Sequence, residues 1–213
     1  MDALRRLHNQ QKRRLIERVV PRGAYVLDCG CGRGGDLHKW ASVGALVMGV
    51  DPDPASIEEA RARKQDMQIK TVQFDVGDIF VGKLYGPFDI ICYNFSIHYI
   101  VHTLQDSVRA IAEATKVGGL LIGITPDIDR IRNFTSPDAL GNTIEMIDAS
   151  TASVRLVDGP FYAQGARQEP VISRSILEDA LRPWFTCLEW KPMLSQPNGY
   201  ISDVYSSFIF KRF

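Results

Sequence analysis

The chain lacks several features that would assign it to particular protein classes. Its 213 residues contain no apolar run approaching the ~20 residues that a membrane-spanning helix needs. The first residues are basic and polar, so we expect no secretory signal peptide. The cysteines Cys29, Cys31, Cys92 and Cys187 form no Cys-x-x-Cys pair. We therefore predict no metal site, and reduced thiols as in a cytosolic or nuclear protein.

Net charge is also lacking, because 25 Lys and Arg balance 25 Asp and Glu. The charge is unevenly distributed, however: the first 22 residues carry seven basic and two acidic side chains, a net +5. Such a segment can follow the phosphates of a nucleic acid, or it can be one solvated helix face. Apolar residues make up 45% of the chain, which is ordinary for a globular protein. We predict one domain, 1–213, that opens with this basic helix, 1–22.

The most informative feature is a glycine-rich turn between two short apolar segments. Tyr25–Cys29 leads into a Gly-x-Gly-x-x-Gly turn made by Gly30, Gly32 and Gly35, and the second apolar segment ends in Asp51. Glycines let the backbone turn tightly and approach a ligand, and a carboxylate at the end of the second strand can accept hydrogen bonds from ribose hydroxyls. The pattern predicts a nucleoside-binding unit. The alternative is a turn that serves only strand-to-helix packing.

The residue after the last glycine indicates what kind of nucleoside ligand is bound. Asp36 stands near the start of the next helix, where a phosphate would otherwise bind to bare N–H groups. A carboxylate disfavours a phosphate there and suits a ligand with a cationic group. S-adenosylmethionine has an ammonium, a sulfonium and a ribose, and no phosphate.

Strand-like and helix-like segments alternate along the first part of the chain. Apolar, β-branched strands alternating with helices predict a parallel sheet covered on both faces. The predicted strands are 25–29, 46–50, 69–74, 88–95 and 120–124, and the predicted helices are 2–20, 36–43, 54–64 and 104–116. We expect a loop after 69–74, a turn at Gly118-Gly119 and an antiparallel pair, 142–148 with 153–157. A helix at 174–181 and strands at 186–190 and 203–210 complete the prediction, with a small antiparallel insert at 128–172.

The sequence resembles the mRNA cap (guanine-N7) methyltransferases over nearly its whole length. Segment 27–40 reads Leu-Asp-Cys-Gly-Cys-Gly-Arg-Gly-Gly-Asp-Leu-His-Lys-Trp. It is similar to the family's Leu-Asp-Leu-Gly-Cys-Gly-Lys-Gly-Gly-Asp-Leu followed by Lys-Trp. Segment 88–99 resembles the family's Phe-Asp-Ile-x-x-x-Gln-Phe-x-x-His-Tyr, and segment 123–127 its Gly-Thr-Thr-Pro-Asn. The chain departs from the family at Arg33, Asn94 and Asp127, and its short insert points to a compact variant such as a viral member.

The resemblance implies an α/β fold: a class I (Rossmann-like) S-adenosylmethionine-dependent methyltransferase with a mostly parallel seven-stranded sheet and a small antiparallel insert. It implies that Lys12 and Asp36 bracket the two ends of the methionine part. Asp51 would bind the ribose and Asp78 the adenine amino group, with Asp75 as the alternative. The residues that the resemblance places around the cofactor are Lys12, Gly30, Gly32, Asp36, Asp51, Asp78, Ile79 and Asn94.

The resemblance also implies a pocket for the cap guanine. His98 would donate to guanine O6, and Glu169 would accept from N1–H and the 2-amino group. Tyr99 or Tyr205 would stack on the base or lie at its edge. Pro126 would form an apolar wall, and Phe161 and Tyr162 are expected in the core. The implied reaction converts GpppN-RNA to m7GpppN-RNA and needs no general base, because guanine N7 attacks with a lone pair.

Two other functions remain open at this level. The chain could be a methyltransferase of the same fold acting on a small molecule or a protein. It could instead be a non-catalytic subunit, although intact Gly30, Gly32, Asp36 and Asp51 argue against a decayed site. The sequence has no Lys-x-Asp-Gly motif for guanylyl transfer. We therefore expect capped RNA as a partner, and an RNA triphosphatase and guanylyltransferase on another domain or subunit. The expected location is cytoplasmic or nuclear, or a virion or viral factory for a viral member.

Overall fold

A computed structural model describes residues 2–157 and 165–213. Phe161 and Tyr162, which were expected in the core, lie outside these residues. The helices are α1 (Asp2–Val19), α2 (Leu37–Val43), α3 (Pro54–Asp66), α4 (Ile79–Gly82), α5 (Leu104–Ala114), α6 (Ile128–Arg132) and α7 (Arg174–Leu181). In this part of the chain no helix is both long enough and apolar enough to cross a membrane.

The strands form one large sheet and one small one. The large sheet has the order β3-β2-β1-β4-β5-β10-β9, in which β10 pairs antiparallel with β5 and β9 and the other neighbouring strands pair in parallel. Its strands are β1 (Tyr25–Cys29), β2 (Leu46–Asp51), β3 (Val72–Val76), β4 (Phe88–Asn94), β5 (Thr115–Pro126), β9 (Phe185–Pro192) and β10 (Tyr205–Arg212). The predicted α/β class with a mostly parallel seven-stranded sheet is confirmed.

The central strands are apolar at successive positions because helices cover both faces of the sheet. Val26 and Ile90 are buried in the core beneath α1, α2 and α3. Their strand neighbours Leu27 and Ile91 are buried in the opposite core beneath α4, α5 and α7. Parallel strands buried on both sides have no solvent face, which explains why these segments show no polar alternation.

Two predictions around β3 were wrong. The strand predicted at 69–74 lies at Val72–Val76, because α3 continues to Asp66 and the chain then turns through Gln68, whose φ is +55°. The expected loop after it contains the short helix α4, and Asp78 caps that helix by accepting from the Phe80 N–H at 2.9 Å. Such a short helix depends on its cap rather than on an apolar repeat, so its sequence signal is weak.

The predicted turn at Gly118-Gly119 was also wrong. Helix α5 ends at Ala114 rather than at 116, and β5 already begins at Thr115. The two glycines lie within β5, where the pairing with β4 is irregular. Gly118 has a φ of +80°, and a Cβ on Gly119 would lie 2.9 Å from the carbonyl oxygen of Asp89. The glycines therefore permit a strand irregularity with a close backbone approach instead of a chain reversal.

The predicted antiparallel pair is a three-stranded sheet. It consists of β6 (Thr143–Met146), β7 (Thr151–Arg155) and β8 (Arg167–Pro170) in that order. Its apolar side packs with α6 on the segment preceding β10, in a cluster of Ile128, Ile131, Ile144, Ala152, Val154, Val171, Ile201 and Val204. Strand β8, Arg-Gln-Glu-Pro, was not predicted because it has no apolar residue to mark a buried face. This strand carries Glu169.

Candidate active site

The glycine turn after β1 is held against the end of β2. The N–H groups of Gly30 and Cys31 donate to the Val50 carbonyl at 2.8 and 3.1 Å. Gly30 has a φ of +72°, and a Cβ there would lie 2.5 Å from the Cβ of Ser96, so only glycine fits. Gly32 has a φ of +52°, and a Cβ built on it would have no neighbouring side chain or backbone atom within 4 Å. The turn thus leaves a cradle that a ligand can fill.

Asp51 ends β2 directly beside this turn. Its Oδ2 accepts from the Gly32 N–H at 2.8 Å and its Oδ1 from the Asp53 N–H at 3.0 Å. Each carboxylate oxygen can accept a further hydrogen bond, so the side chain is oriented without being saturated. This is the arrangement required of a carboxylate that binds a pair of ribose hydroxyls.

A cavity of about 430 Å³ opens at the carboxyl ends of β1, β2 and β4. Four predicted cofactor residues line it: Gly30, Asp51, Asp78 and Ile79. The other residues of the lining are Cys29, Pro52, Tyr93, Phe95, Ser96, Tyr99, Ile100, Thr103 and Ser107. Its volume falls in the ~300–1,000 Å³ range of small-molecule sites. Asp75 is not in the lining and accepts instead from the Tyr85 hydroxyl. Between the two candidate acids, Asp78 is the one at the cavity.

Gly32 lies in the glycine turn outside this lining, and the other three predicted cofactor residues, Lys12, Asp36 and Asn94, belong to a buried charge cluster. Asp36 Oδ1 lies 2.7 Å from Lys12 Nζ and 2.6 Å from Lys39 Nζ. Asn94 Nδ2 is 3.5 Å from Asp36 Oδ2. Lys39 also donates to Asn9 Oδ1 at 2.9 Å. Lys12 and Asp36 thus contact each other directly, and Lys39, which the sequence analysis missed, adds a second positive charge.

Burial and these charges together shift the pKa values of the cluster. Burial alone would raise the pKa of Asp36, but Lys12 and Lys39 outweigh it and lower that pKa below its ordinary value. Burial, and then the charge of Asp36, raises the pKa of the neighbouring Asp28 to about 7. Asp28 also accepts from the Trp40 indole N–H at 2.9 Å. Asp36 therefore remains a carboxylate at neutral pH, flanked by two ammonium groups.

A second, smaller cavity of about 100 Å³ adjoins the first. It brings together the five residues expected at the guanine, His98, Tyr99, Pro126, Glu169 and Tyr205. The other residues of its lining are Phe95, Ile144, Val154 and Val171. Phe95 and Tyr99 line both cavities. The segment after β4 and the strands β5, β6, β7, β8 and β10 supply the lining, so no local sequence pattern could have shown that these side chains converge.

The polar groups of the small cavity are arranged around Tyr99. Its hydroxyl donates to Glu169 Oε2 at 2.6 Å, and its ring lies 4.3 Å from the His98 ring. His98 is buried, and its Nδ1 has no hydrogen-bond partner in the part of the chain that the structure describes. Burial lowers the pKa of His98 to about 4, so the ring is neutral at pH 7. The free nitrogen of a neutral imidazole can donate or accept one hydrogen bond with a nucleobase, depending on the tautomer.

His8 on α1 supports the aromatic side of this cavity and was missed by the sequence analysis. Its ring stacks on Phe95 at 5.0 Å and meets the edge of Tyr205 at 5.2 Å. Its Nε2 lies 3.0 Å from Ser202 Oγ. The available signal was its spacing of four residues from Lys12, which places both side chains on one helix face.

The burial of His8 predicts a specific acid sensitivity. Burial, and then the charge of Lys12, lowers the pKa of His8 to about 4. The unfolded chain, with a histidine pKa near 6.5, takes up the proton first, so stability falls as the pH drops from 6.5 towards 4. We expect wild type to lose about 2 kcal/mol more than His8→Phe between pH 7 and pH 5. Urea unfolding of both proteins at the two pH values measures this difference, and equal losses would contradict it.

Comparisons with known proteins agree with this geometry. A sequence profile of the mRNA (guanine-N(7))-methyltransferase domain matches residues 2–164. The chain is 35% identical over 145 residues to the mRNA cap guanine-N(7) methyltransferase of Saccharomyces cerevisiae, covering 61% of this chain and 33% of that protein. It is 32% identical over 191 residues to the protein of the same name from Caenorhabditis briggsae, covering 75% of this chain and 50% of that protein.

Solved structures show the same fold at low sequence identity. An S-adenosylmethionine-dependent methyltransferase from Clostridium acetobutylicum superposes with a TM-score of 0.65 at 13% identity, covering 97% of this chain and 91% of that one. Another from Mesorhizobium loti has a TM-score of 0.66 at 18% identity, covering 97% and 100%. The fold is thus that of S-adenosylmethionine-dependent methyltransferases.

The sequence match and the site overlap. The matched residues include the glycine turn, Asp51, the Asp36 cluster and His98, whereas Glu169 and Tyr205 lie beyond them. The chain spans about a third to a half of the length of the curated relatives named above. By the extent of the profile match, this chain belongs to the mRNA (guanine-N(7))-methyltransferase family.

Proposed function

We propose that this chain transfers a methyl group from S-adenosylmethionine to guanine N7 of an mRNA cap. The observation that carries the proposal is the pair of adjoining cavities with shared walls at Phe95 and Tyr99. One cavity has the acids and glycines of a nucleoside site. The other has hydrogen-bonding and aromatic side chains suited to a guanine.

The larger cavity and the charge cluster fit the cofactor. Asp51 would accept from the two ribose hydroxyls, and Asp78 from the adenine amino group beside Ile79. The cluster of Lys12, Asp36 and Lys39 carries a net positive charge, which suits the cofactor's carboxylate. Neither lysine contacts Asp36 Oδ2, so this oxygen would be available to the cofactor's ammonium group. When bound, S-adenosylmethionine supplies an electrophilic methyl group on a sulfonium.

The smaller cavity would orient the guanine. Glu169 accepts from N1–H and the 2-amino group, and its negative charge offsets the positive charge that N7 acquires. Neutral His98 donates to O6, while Pro126 and Tyr205 confine the ring. No residue needs to remove a proton, because guanine N7 carries no proton and attacks with its lone pair. Aligning the reacting atoms can lower a barrier by up to ~7–11 kcal/mol in well-oriented systems.

Transfer of labelled methyl to GpppG, GTP and capped RNA, measured side by side, tests this proposal. We expect product on GpppG and capped RNA, with the label at guanine N7 by nucleoside analysis. A small-molecule or protein methyltransferase would ignore both substrates, and a non-catalytic subunit would show no transfer at all. Because the sequence has no guanylyl-transfer motif, we propose that another domain or subunit builds the cap.

The structure separates two groups of arginines on the basic helix α1. Arg13 pairs with Glu17 at 3.4 Å, and Arg18 pairs with Glu189 at 2.6 Å. Arg5, Arg6 and Arg14 are exposed, and within the described residues none of the three forms an ion pair with a carboxylate. Leu4, in the same turn, packs against the cluster of the small sheet together with Tyr205. We therefore propose that Arg5 and Arg6, beside the guanine cavity, contact the RNA phosphates.

Charge reversal tests this assignment. Arg5→Glu with Arg6→Glu should reduce the slope of log affinity for capped RNA against log salt by about 1.4, the value for two phosphate contacts on a single strand. Affinity for free GpppG should change little. Arg13→Glu with Arg18→Glu is the matched control and should leave the RNA slope closer to wild type. If both double variants give the same slope as wild type, the helix face is merely solvated. The measurement is fluorescence anisotropy at four salt concentrations.

A further inference from the structure

One polar group in the lining of the larger cavity has no role in the fold. Tyr93, near the end of β4, is only 4% exposed, and its hydroxyl has no hydrogen-bond partner in the residues that the structure describes. Both edges of β4 are engaged at this point, by β1 through Cys92 and by β5 through Tyr93 itself. The backbone of Tyr93 is therefore occupied by the sheet, and only its side chain can contact a ligand in the cavity.

The other hydroxyl and carboxylate side chains of this lining are all hydrogen-bonded. Asp51 and Asp78 accept from backbone N–H groups. Ser96 donates to the Cys29 carbonyl at 2.6 Å, and Thr103 and Ser107 lie 2.9 Å apart through their hydroxyls. Tyr99 donates to Glu169. The Tyr93 phenol is thus the exception in a cavity where the fold otherwise satisfies its own polar groups.

The surroundings of the phenol show which part of a ligand it would meet. Burial raises the pKa of Tyr93 well above its ordinary value, so the hydroxyl keeps its proton and can donate. The groups that raise this pKa further are Cys29 and Asp78. The Cys29 thiol lies beside the phenol and interacts with it, but a thiol is a weak hydrogen-bonding group and the contact does not reach hydrogen-bond geometry. Tyr93 lines the same cavity as Asp78 and Ile79, the residues proposed for the adenine, so its side chain lies on the adenosine side of that cavity.

We propose that the Tyr93 hydroxyl is a further cofactor contact, donating a hydrogen bond to the adenosine half of S-adenosylmethionine. This inference rests on the proposed function, because it requires the nucleoside in this cavity. A buried hydroxyl without a partner destabilises the ligand-free protein and gains its partner when the ligand binds. The same group therefore has opposite effects on folding and on binding.

The Tyr93→Phe variant removes the hydroxyl and keeps the ring. We expect its affinity for S-adenosylhomocysteine and for 5′-methylthioadenosine to fall by the same factor, about fivefold, in calorimetry. Both ligands contain the adenosine half, and only the first has the amino-acid half. We expect the ligand-free variant to melt about 2–4 °C above wild type, because it no longer buries an unsatisfied group. Tyr85→Phe, at an exposed tyrosine bonded to Asp75 outside the cavity, is the matched control and should bind like wild type.

Three results would overturn the inference alone. They are wild-type affinity in Tyr93→Phe, a loss confined to S-adenosylhomocysteine, and a ligand-free variant that melts below wild type. The last result would mean that the hydroxyl has a structural partner such as Cys29. If the wild-type protein bound neither ligand, the proposed function would fall, and this inference with it.

Discussion

Asp51→Ala should reduce affinity for S-adenosylhomocysteine by at least about 150-fold. Asp51 lies at the cavity with both oxygens oriented by the Gly32 and Asp53 N–H groups. Two charge-assisted bonds to the ribose hydroxyls are worth ~1.5–3 kcal/mol each, so their joint loss costs at least ~3 kcal/mol of binding free energy. Calorimetric titration of the variant and of wild type measures the change.

Two further variants separate binding from folding. Asp51→Asn retains one oxygen that can accept from a backbone N–H group, and it should fold like wild type while still binding poorly. Asp75→Asn changes an acid on the neighbouring strand that lies outside the cavity lining, and it should bind with near wild-type affinity. Thermal denaturation of each protein verifies the fold. Undiminished affinity in Asp51→Ala would show that no ribose is bound at the end of β2.

Glu169→Gln should lower kcat/KM on GpppA-capped RNA by about 10²–10³-fold and leave cofactor affinity unchanged. The carboxylate accepts two hydrogen bonds from guanine, whereas an amide turns one acceptor into a donor facing a donor, a mismatch that costs ~1–3 kcal/mol. The substitution also removes the negative charge that offsets the cation forming at N7. The amide oxygen can still accept from Tyr99, so the small sheet should stay in place.

Inosine-capped RNA provides the complementary test, because inosine lacks the 2-amino group. Wild type should discriminate against IpppA-RNA, and Glu169→Gln should discriminate less. Glu145→Gln, an exposed position on β6 of the same small sheet, is the matched control and should behave like wild type. Equal turnover by wild type and Glu169→Gln on GpppA-RNA would place Glu169 outside the guanine pocket.

Part of the proposed cofactor half of the site could be inferred from sequence because its residues are local. Gly30, Gly32 and Asp51 belong to one strand–turn–helix–strand unit, in which spacing along the chain determines position in space. The choice between Asp75 and Asp78 could not be made from sequence. It depended on where β3 ends, and strand ends are set by pairing with β2, not by the residues of β3 alone.

The proposed guanine half depends on contacts between distant segments. His98 and Tyr99 follow β4, Glu169 lies on a strand with no apolar pattern, and Tyr205 begins β10. Family resemblance could name these residues, but only the packing of the small sheet against α6 and the segment before β10 puts them around one cavity. His8 and Lys39 were missed for a related reason. Each looks like an ordinary polar helix residue until a partner from another element buries it.

The class of fold and the alternation of strands and helices follow from the amino-acid order, as does the proposal of a nucleoside site at the glycine turn, since hydrophobic periodicity and glycine placement act over short distances. Which side chains are buried, ionised or left without a partner follows only from the folded molecule. The pKa of about 4 at His98 and the unsatisfied hydroxyl of Tyr93 arise from desolvation, whereas Asp36 stays ionised because Lys12 and Lys39 outweigh its burial. Desolvation depends on everything that surrounds a group, and a linear sequence does not specify those surroundings.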